Sequence, residues 1–370
     1  MIGAVEAWPI LPAEGRRWDC LALGEVMLRF DPGEDRVRSA RNFRVWEGGG
    51  EYNVARGLRK TFGRRTGVLT ALPDNELGAL ALDLIGQGGV DASEILWRTY
   101  DGIGRSTRLG LNFTERGFGL RGALGVSDRA NSAASQIAPD DFDWDRLFGA
   151  GGARWLHTGG IFAALSEKTA EAAVVAVQSA RRHGVMVSYD LNYRASLWDS
   201  HPSPDAARRI NQAIVAECDL LFGDEFGLAA CLGMDLSTLE PRRTPMDDGP
   251  PHAAARAVFE TFPQLRAVAY TLREPKSASV NAWQGVLEGR SARWVSTLRP
   301  SVELLDRVGG GDAFASGMIE GLLEGGTPQR AVDLATAHGA LAMTTPGDNA
   351  NVSAAEVETA VLGAPALTRR

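Results

Sequence analysis

Cysteine and histidine are scarce in this sequence. Its 370 residues include three cysteines, Cys20, Cys218 and Cys231. They are far apart, odd in number and form no C-x-x-C, which excludes a disulfide framework and a zinc site built on paired thiolates. They read as reduced, buried small side chains. The five histidines are scattered without an H-E-x-x-H, and no G-x-S-x-G occurs, so zinc and serine hydrolases drop out. His157, at a strand end, reads as a core residue. No segment approaches the ~18 apolar residues of a membrane span. The first residues, "MIGAVEAWPILPAEGRRWDC", have neither the basic start nor the uninterrupted apolar centre of a signal peptide. A cytoplasmic protein without membrane association is expected. Positive charge is not in excess either: 39 Lys and Arg stand against 46 Asp and Glu, a formal net charge of −7. A nucleic-acid partner is therefore not expected.

What is present is an ordinary globular composition, 44% hydrophobic and 23% charged, with enough chain for one large core and an appended piece. Residues 1–17 read as a loose N-terminal extension or arm and 18–366 as the domain. "WDCLALGEVML" suits a buried strand ended by Gly24. "EYNVARGLRKTFG" places Val54, Leu58 and Phe62 on one helical face, with Gly63 closing the helix. "TGVLTAL" then reads as strand and "NELGALALDLIGQGG" as helix. The alternation resumes with strand "ARWLHTG", helix Glu167 to Arg182, strand "VMVSYDLN", helix Asp205 to Ala216 and strand "CDLLFGD". Strands alternating with helices of this length predict a parallel sheet covered on both faces, with ligands bound beyond the carboxyl ends of the strands. Two stretches, about 26–47 and 105–127, have short alternating segments without helical period. They are expected as strands outside the main sheet, forming a small lid. Residues 236–251, with four prolines, read as a surface loop.

The chemistry concentrates in "LLDRVGGGDAFASGMIEGLL". Gly309, Gly310 and Gly311 let consecutive N–H groups converge into a nest, and a helix beginning near Asp312 adds its unpaired first-turn donors and positive dipole end. Phe314, Met318 and Leu322 give that helix its apolar face. The plainer reading makes Asp312 an N-cap, worth roughly 1 kcal/mol. A glycine triplet after a strand favours a functional one. There is no G-x-x-x-x-G-K-[ST], and the first strand, "LALGEVMLRF", carries no G-x-G-x-x-G, which removes the common P-loop and the dinucleotide dehydrogenases. A carboxylate in a phosphate cradle repels its guest unless it serves the reaction. Its task there is to accept the proton of a hydroxyl that attacks phosphorus.

"DRVGGGDAFASG" resembles the C-terminal signature of the ribokinase-like (PfkB) carbohydrate kinases, and "EGGGEYNVARGL", about 260 residues earlier, resembles their N-terminal glycine signature. "DLNYRASLW", "DRANSA", "TLREPKSAS" and "TTPGDNANVS" are similar to the branch of 2-dehydro-3-deoxygluconate kinases. The resemblance spans residues 18 to 362. It implies a ribokinase-like three-layer αβα fold with a mostly parallel sheet and a β-strand lid, and ATP-dependent, magnesium-dependent phosphorylation of a primary hydroxyl of a sugar acid. Alternatives that stay open are a kinase of another sugar or sugar acid and a non-catalytic sugar-acid sensor with the same fold.

By this resemblance Asp312 is the catalytic base and Gly309, Gly310 and Gly311 form the anion hole. Gly48, Gly49, Gly50 and Asn53 face the sugar hydroxyls, with Asn112 on the lid. Arg194 and, second, Arg129 are implied as ligands of the substrate carboxylate; the fork of a guanidinium suits that task, although a solvated loop Arg is the plainer reading of each. Asp348 falls near the substrate or is an ordinary turn residue. Thr271 and Arg273 fall beside the nucleotide phosphates, with Asp224, Gly309 and Gly311. Asp306 lies where relatives help bind a monovalent cation such as K+, and the lid implies a homodimer. The sequence departs from the family in "GDEFG", where Asp224 and Gly227 replace the Asn and acid of the N-x-x-E element and Asp224 and Glu225 are left to hold a metal-bound water. It departs again at Asn112 and Ser127, where relatives carry lid tyrosines.

Overall fold

The computed structural model describes residues 8–363 apart from 200, 202, 204, 236 and 238. The final residues of the expected domain, 364–366, and the first seven of the expected extension lie outside this range. Among the described residues a nine-stranded sheet runs in the order Arg293–Val295, Val280–Gly289, Ala267–Ser277, Leu220–Phe222, Met186–Asp190, Trp155–Gly159, Cys20–Leu23 and Thr66–Leu69, with Arg299–Glu303 also paired to Val280–Gly289. Neighbours from Ala267–Ser277 to Thr66–Leu69 are all parallel. The strands from Ala267 to Glu303 pair antiparallel at one edge.

The parallel strands from Thr66–Leu69 to Leu220–Phe222 are buried at nearly every position because both faces are covered. Period-two alternation divides their side chains between two layers. Leu21, Leu156, Val187 and Leu221 pack on one side with helix Glu167–Arg182. Cys20, Trp155, Met186 and Leu220 pack on the other, with Phe314 and Met318 of helix Gly310–Leu323. The expected three-layer α/β fold is thus present. All three cysteines are free and buried, and His157 is buried against Ser188.

A separate four-stranded sheet, in the order Arg44–Gly48, Met27–Asp31, Leu111–Glu115, Leu124–Asp128, forms the lid. Phe30 and Phe113 stack at 5.0 Å with Phe43 edge-on to both, while the outer strand Leu124–Asp128 is exposed along its length.

Three expectations need revision. Residues 249–251 are not loop but the start of helix Gly249–Thr261, whose Pro250 and Pro251 sit in the first turn where a missing N–H costs nothing. The expected strand "TGVLTAL" breaks into Thr66–Leu69 and Ala71–Pro73, the second pairing outside the main sheet with Leu96–Arg98. The described part of the N-terminal extension is docked rather than loose. Trp8 stacks on Trp155 at 6.3 Å, Arg154 donates to the Leu11 carbonyl at 2.6 Å, and Arg16 donates to the Gly149 carbonyl at 2.8 Å.

Candidate active site

A cleft of about 830 Å³ opens under the lid at the carboxyl ends of the parallel strands. Two helices begin at its wall, Gly50–Phe62 and Gly310–Leu323. Both are preceded by a glycine that no other residue replaces. Gly49 has φ +150, and a Cβ there would lie 2.0 Å from the Glu25 carbonyl oxygen. Gly309 has φ +77, and a Cβ there would lie 1.8 Å from the Asp348 carbonyl oxygen. Gly309 is itself the N-cap of the second helix, without a side-chain cap. Asp312 therefore does not cap it, and the first-turn N–H groups remain available to an anion.

Asp312 projects from that first turn toward Asn53, whose Nδ2 donates to its Oδ2 at 2.7 Å. Burial raises the Asp312 carboxyl to about 7; the charges of Asp190 and Asp348 add to the rise, and Asn53 and Arg194 oppose it. Burial likewise raises Asp190 to about 6, against the backbone N–H of Asn192 and the charge of Arg194. Glu51, at the base of the first helix, is raised to about 8, chiefly by burial, with Asp312 and Asp190 among the charges that add to it. A group that takes a proton at neutral pH works best with such a value.

The lid and the 190s loop supply the wall opposite Asp312. Asn112 and Ser127 face each other across paired lid strands and both line the cleft. Asn112 accepts from the Thr114 hydroxyl at 2.9 Å. Arg129 enters the cleft already paired, donating through Nε to Glu25 at 2.9 Å, so much of its charge is neutralised. Arg194 is exposed in the cleft, and among the described residues its one hydrogen bond is to the Tyr193 carbonyl at 2.9 Å. Of the two arginines, Arg194 is the one free to bind an anion.

At the far end lie Thr271, Arg273, Arg307 and Asp224. The Arg273 guanidinium is held below its ordinary value by burial and by the neighbouring charge of Arg307, with Asp224 opposing. Two cations this close, with one nearby acid, make a seat for a polyanion. Gly49, Gly50, Asn53, Asp348 and the Gly309–Gly311 nest also line the cleft. Gly48, Asp306 and Glu225 do not: Gly48 backs onto Asp348, Asp306 is buried behind the nest, and Glu225 is held by Arg242, with Nη2 at 2.5 Å.

A family model for the pfkB family carbohydrate kinases matches residues 19–355. The chain belongs to the PfkB carbohydrate kinases. The kinase is similar to the crystal structure of 2-dehydro-3-deoxygluconokinase from Thermotoga maritima, with TM-score 0.83 and 32% identity over 93% of this chain and 99% of that one. It is 29% identical over 353 residues to 2-dehydro-3-deoxygalactonokinase of Haloferax volcanii, covering 94% and 98% of the two chains. A fructokinase with bound ATP from Xylella fastidiosa shares the fold at TM-score 0.68 and 21% identity, covering 93% and 98%.

Among the kinase's described residues no cluster of three or more His, Cys, Asp or Glu could hold a metal ion by itself. Magnesium in nucleotide sites keeps several waters and leans on phosphate oxygens plus one or two carboxylates, and this donor set fits that mode. Asp224 lines the cleft and commits Oδ1 to the Gly227 N–H at 3.0 Å as the cap of helix Glu225–Leu232; were magnesium bound, Asp224 is the carboxylate that would hold its water. Glu225, expected to share that task, points instead into its ion pair with Arg242.

Sequence patterns leave several site groups of the kinase unassigned. Asp190 and Arg307 stand inside quoted motifs without a role, although a carboxylate ending a parallel strand and an arginine just before a glycine nest are readable signals. Glu51 looks like an ordinary first-turn acid. Arg29, in the lid strand, has no local signal.

Proposed function

We propose that this kinase transfers the γ-phosphoryl group of ATP to the primary hydroxyl of a six-carbon 2-keto-3-deoxy sugar acid, with 2-dehydro-3-deoxy-D-gluconate, giving its 6-phosphate, as the first substrate to test. The observation that carries the acid is Arg194, an exposed guanidinium with no carboxylate ion pair among the described residues, facing the same cleft as Asp312. In this reading the substrate carboxylate pairs with Arg194, Asn112 and Asn53 take hydroxyls, and the primary hydroxyl lies beside Asp312. Thr271, Arg273 and Arg307 hold the polyphosphate. Asp224 would hold magnesium through water, and the ion would neutralise charge on the phosphates. The hydroxyl loses its proton to Asp312 as its oxygen attacks the γ-phosphorus, and the N–H groups of Gly309 to Asp312 stabilise charge on the moving phosphoryl oxygens. The products are ADP and the sugar-acid phosphate.

The resemblance to both a deoxygluconate and a deoxygalactonate kinase brings in the C4 epimer as the second substrate to try. Asn112 and Ser127 replace the bulk and hydroxyls of lid tyrosines with shorter amide and hydroxyl groups, which suits a pocket tolerant at that carbon. Coupled ATP-consumption assays over both epimers, an aldonate and a neutral ketose should show turnover with the keto-deoxy acids at kcat/KM roughly 10- to 150-fold above the ketose, the scale of a charge-assisted pair. A ketose used as well as the acids defeats the acid assignment. Tight acid binding without ATP consumption defeats phosphoryl transfer.

The lid also supports a homodimer. Phe118, Leu120, Leu124 and Val126, in and between the two lid strands from 111 to 128, are each exposed, and a second copy of the chain would cover apolar side chains of this size. Light scattering at micromolar concentration should give twice the 39.5 kDa chain mass, falling to one chain in a Leu124→Asp, Val126→Lys variant. A monomeric wild type ends this reading.

A further inference from the structure

Arg29 is a charged side chain with no solvent exposure, placed in the lid strand Met27–Asp31. Its Nη2 donates to Asp306 Oδ2 at 2.7 Å and its Nη1 to Asp348 Oδ1 at 2.5 Å. The rest of Asp306 is also committed. Oδ1 accepts from the Val308 N–H at 3.2 Å and Oδ2 from the Gly347 N–H at 3.3 Å, while Arg116 Nε stands 3.6 Å from Oδ2. Arg116 in turn is bonded to Asp31 of the lid. The guanidinium of Arg29 thus clamps the two loops that shape the anion nest. Asp306 opens the turn into Gly309, and the Asp348 carbonyl is the atom against which Gly309 packs.

This arrangement does not fit the monovalent cation that the family resemblance implies at Asp306. A potassium ion needs several oxygen ligands at one point. Here the Asp306 carboxylate already accepts from three N–H donors and is flanked by two guanidinium groups, so an added cation would displace Arg29 or lie against like charge. A bidentate, permanently charged fork supplies the same positive charge at fixed geometry, without an exchangeable ligand.

We propose that Arg29 is the built-in cation of this site, holding Asp306 and Asp348 in the positions that form the nest, so that phosphoryl transfer needs no monovalent cation. Arg29 is a positioning residue: it touches neither substrate nor reacting atoms and acts through the loops it ties. The inference rests on membership of the carbohydrate kinases and not on which acid is phosphorylated.

The test compares the wild-type enzyme in potassium chloride and in tetramethylammonium chloride at equal ionic strength and constant magnesium. Both turnover and calorimetric affinity for ATP with magnesium should agree within about twofold between the two salts. Activation by potassium of about tenfold or more, in either readout, overturns the proposal. The ATP affinity needs no sugar, so a failure to phosphorylate any acid sinks the substrate assignment and leaves this comparison intact. Arg29→Ala gives the second arm. It should lose turnover by about 10-fold or more and regain part of it, together with thermal stability, when guanidinium or potassium is added. A variant that keeps wild-type turnover without added cation, or that folds and is rescued by no cation, also overturns the proposal. If Arg29→Ala does not fold, the salt comparison on the wild type still decides.

Discussion

Asp312→Asn is expected to keep binding ATP and the sugar acid while kcat falls by a factor of about 10² to 10⁴, the range for loss of a general base. The amide preserves shape, and Asn53 can turn its own amide to present the carbonyl oxygen, so the loss measures proton acceptance rather than packing. A pH profile sharpens the result. Because the folded carboxyl is raised to about 7, the base form is the minority below that pH, and kcat/KM of the wild type should fall as pH drops through about 7. The direction matters: an ordinary solvent-exposed Asp would hold activity down to about pH 4. Asp190→Asn removes a like charge that helps raise Asp312, so its acid limb should move to lower pH. Near-normal turnover in Asp312→Asn, measured by coupled ADP release, would remove Asp312 from the reaction.

Arg194→Ala carries the next largest effect. A guanidinium–carboxylate pair in a partly closed cleft is worth about 1.5 to 3 kcal/mol, so KM for the acid should rise roughly 10- to 150-fold. For a neutral sugar that is turned over at all, KM should change little. A second readout separates this role from structural damage. Arg194 lowers the Asp312 carboxyl, so its removal should shift the acid limb of the pH profile upward, opposite to Asp190→Asn. Arg194→Lys retains charge without the fork and should restore the pH limb more fully than KM. Equal losses for acid and neutral sugars, with an unmoved limb, would make Arg194 a structural residue.

What the sequence discloses follows physical locality. Parallel strands buried on both faces are continuous apolar runs, and the helices between them carry their own caps, so the core layers and their order are legible. The glycine nest is legible too, since its geometry is encoded within a few consecutive residues. The antiparallel edge from Ala267 to Glu303 is harder to read. "LREPKSASV" mixes charge, proline and small residues because an edge hairpin has less to bury, and it looks like loop until the partner strand is seen. The site charges are harder still. A lone arginine in "MLRFD" resembles any solvent-facing strand residue, and the carboxylates that accept from it lie 277 and 319 residues onward. Whether Arg129 or Arg194 is free to meet an anion depends on Glu25, about 104 residues before Arg129, and no local pattern states that.

The distances along the chain between the Arg29 partners bear on how the protein is made. A guanidinium with zero exposure in the finished molecule emerges from the ribosome long before either carboxylate that compensates it. Before residue 306 is available, closing the lid strand against the core would bury an unmatched charge, which is strongly unfavourable, and the second carboxylate arrives only with residue 348. The lid strand is therefore expected to close late in folding, which pulse-labelled hydrogen exchange would show as protection of the Met27–Asp31 amides after those of the core strands. Contacts of such sequence separation also slow the search for the native state. A product that stops short of residue 348 lacks one of the two carboxylates that hold Arg29 and, with it, the carbonyl against which Gly309 packs.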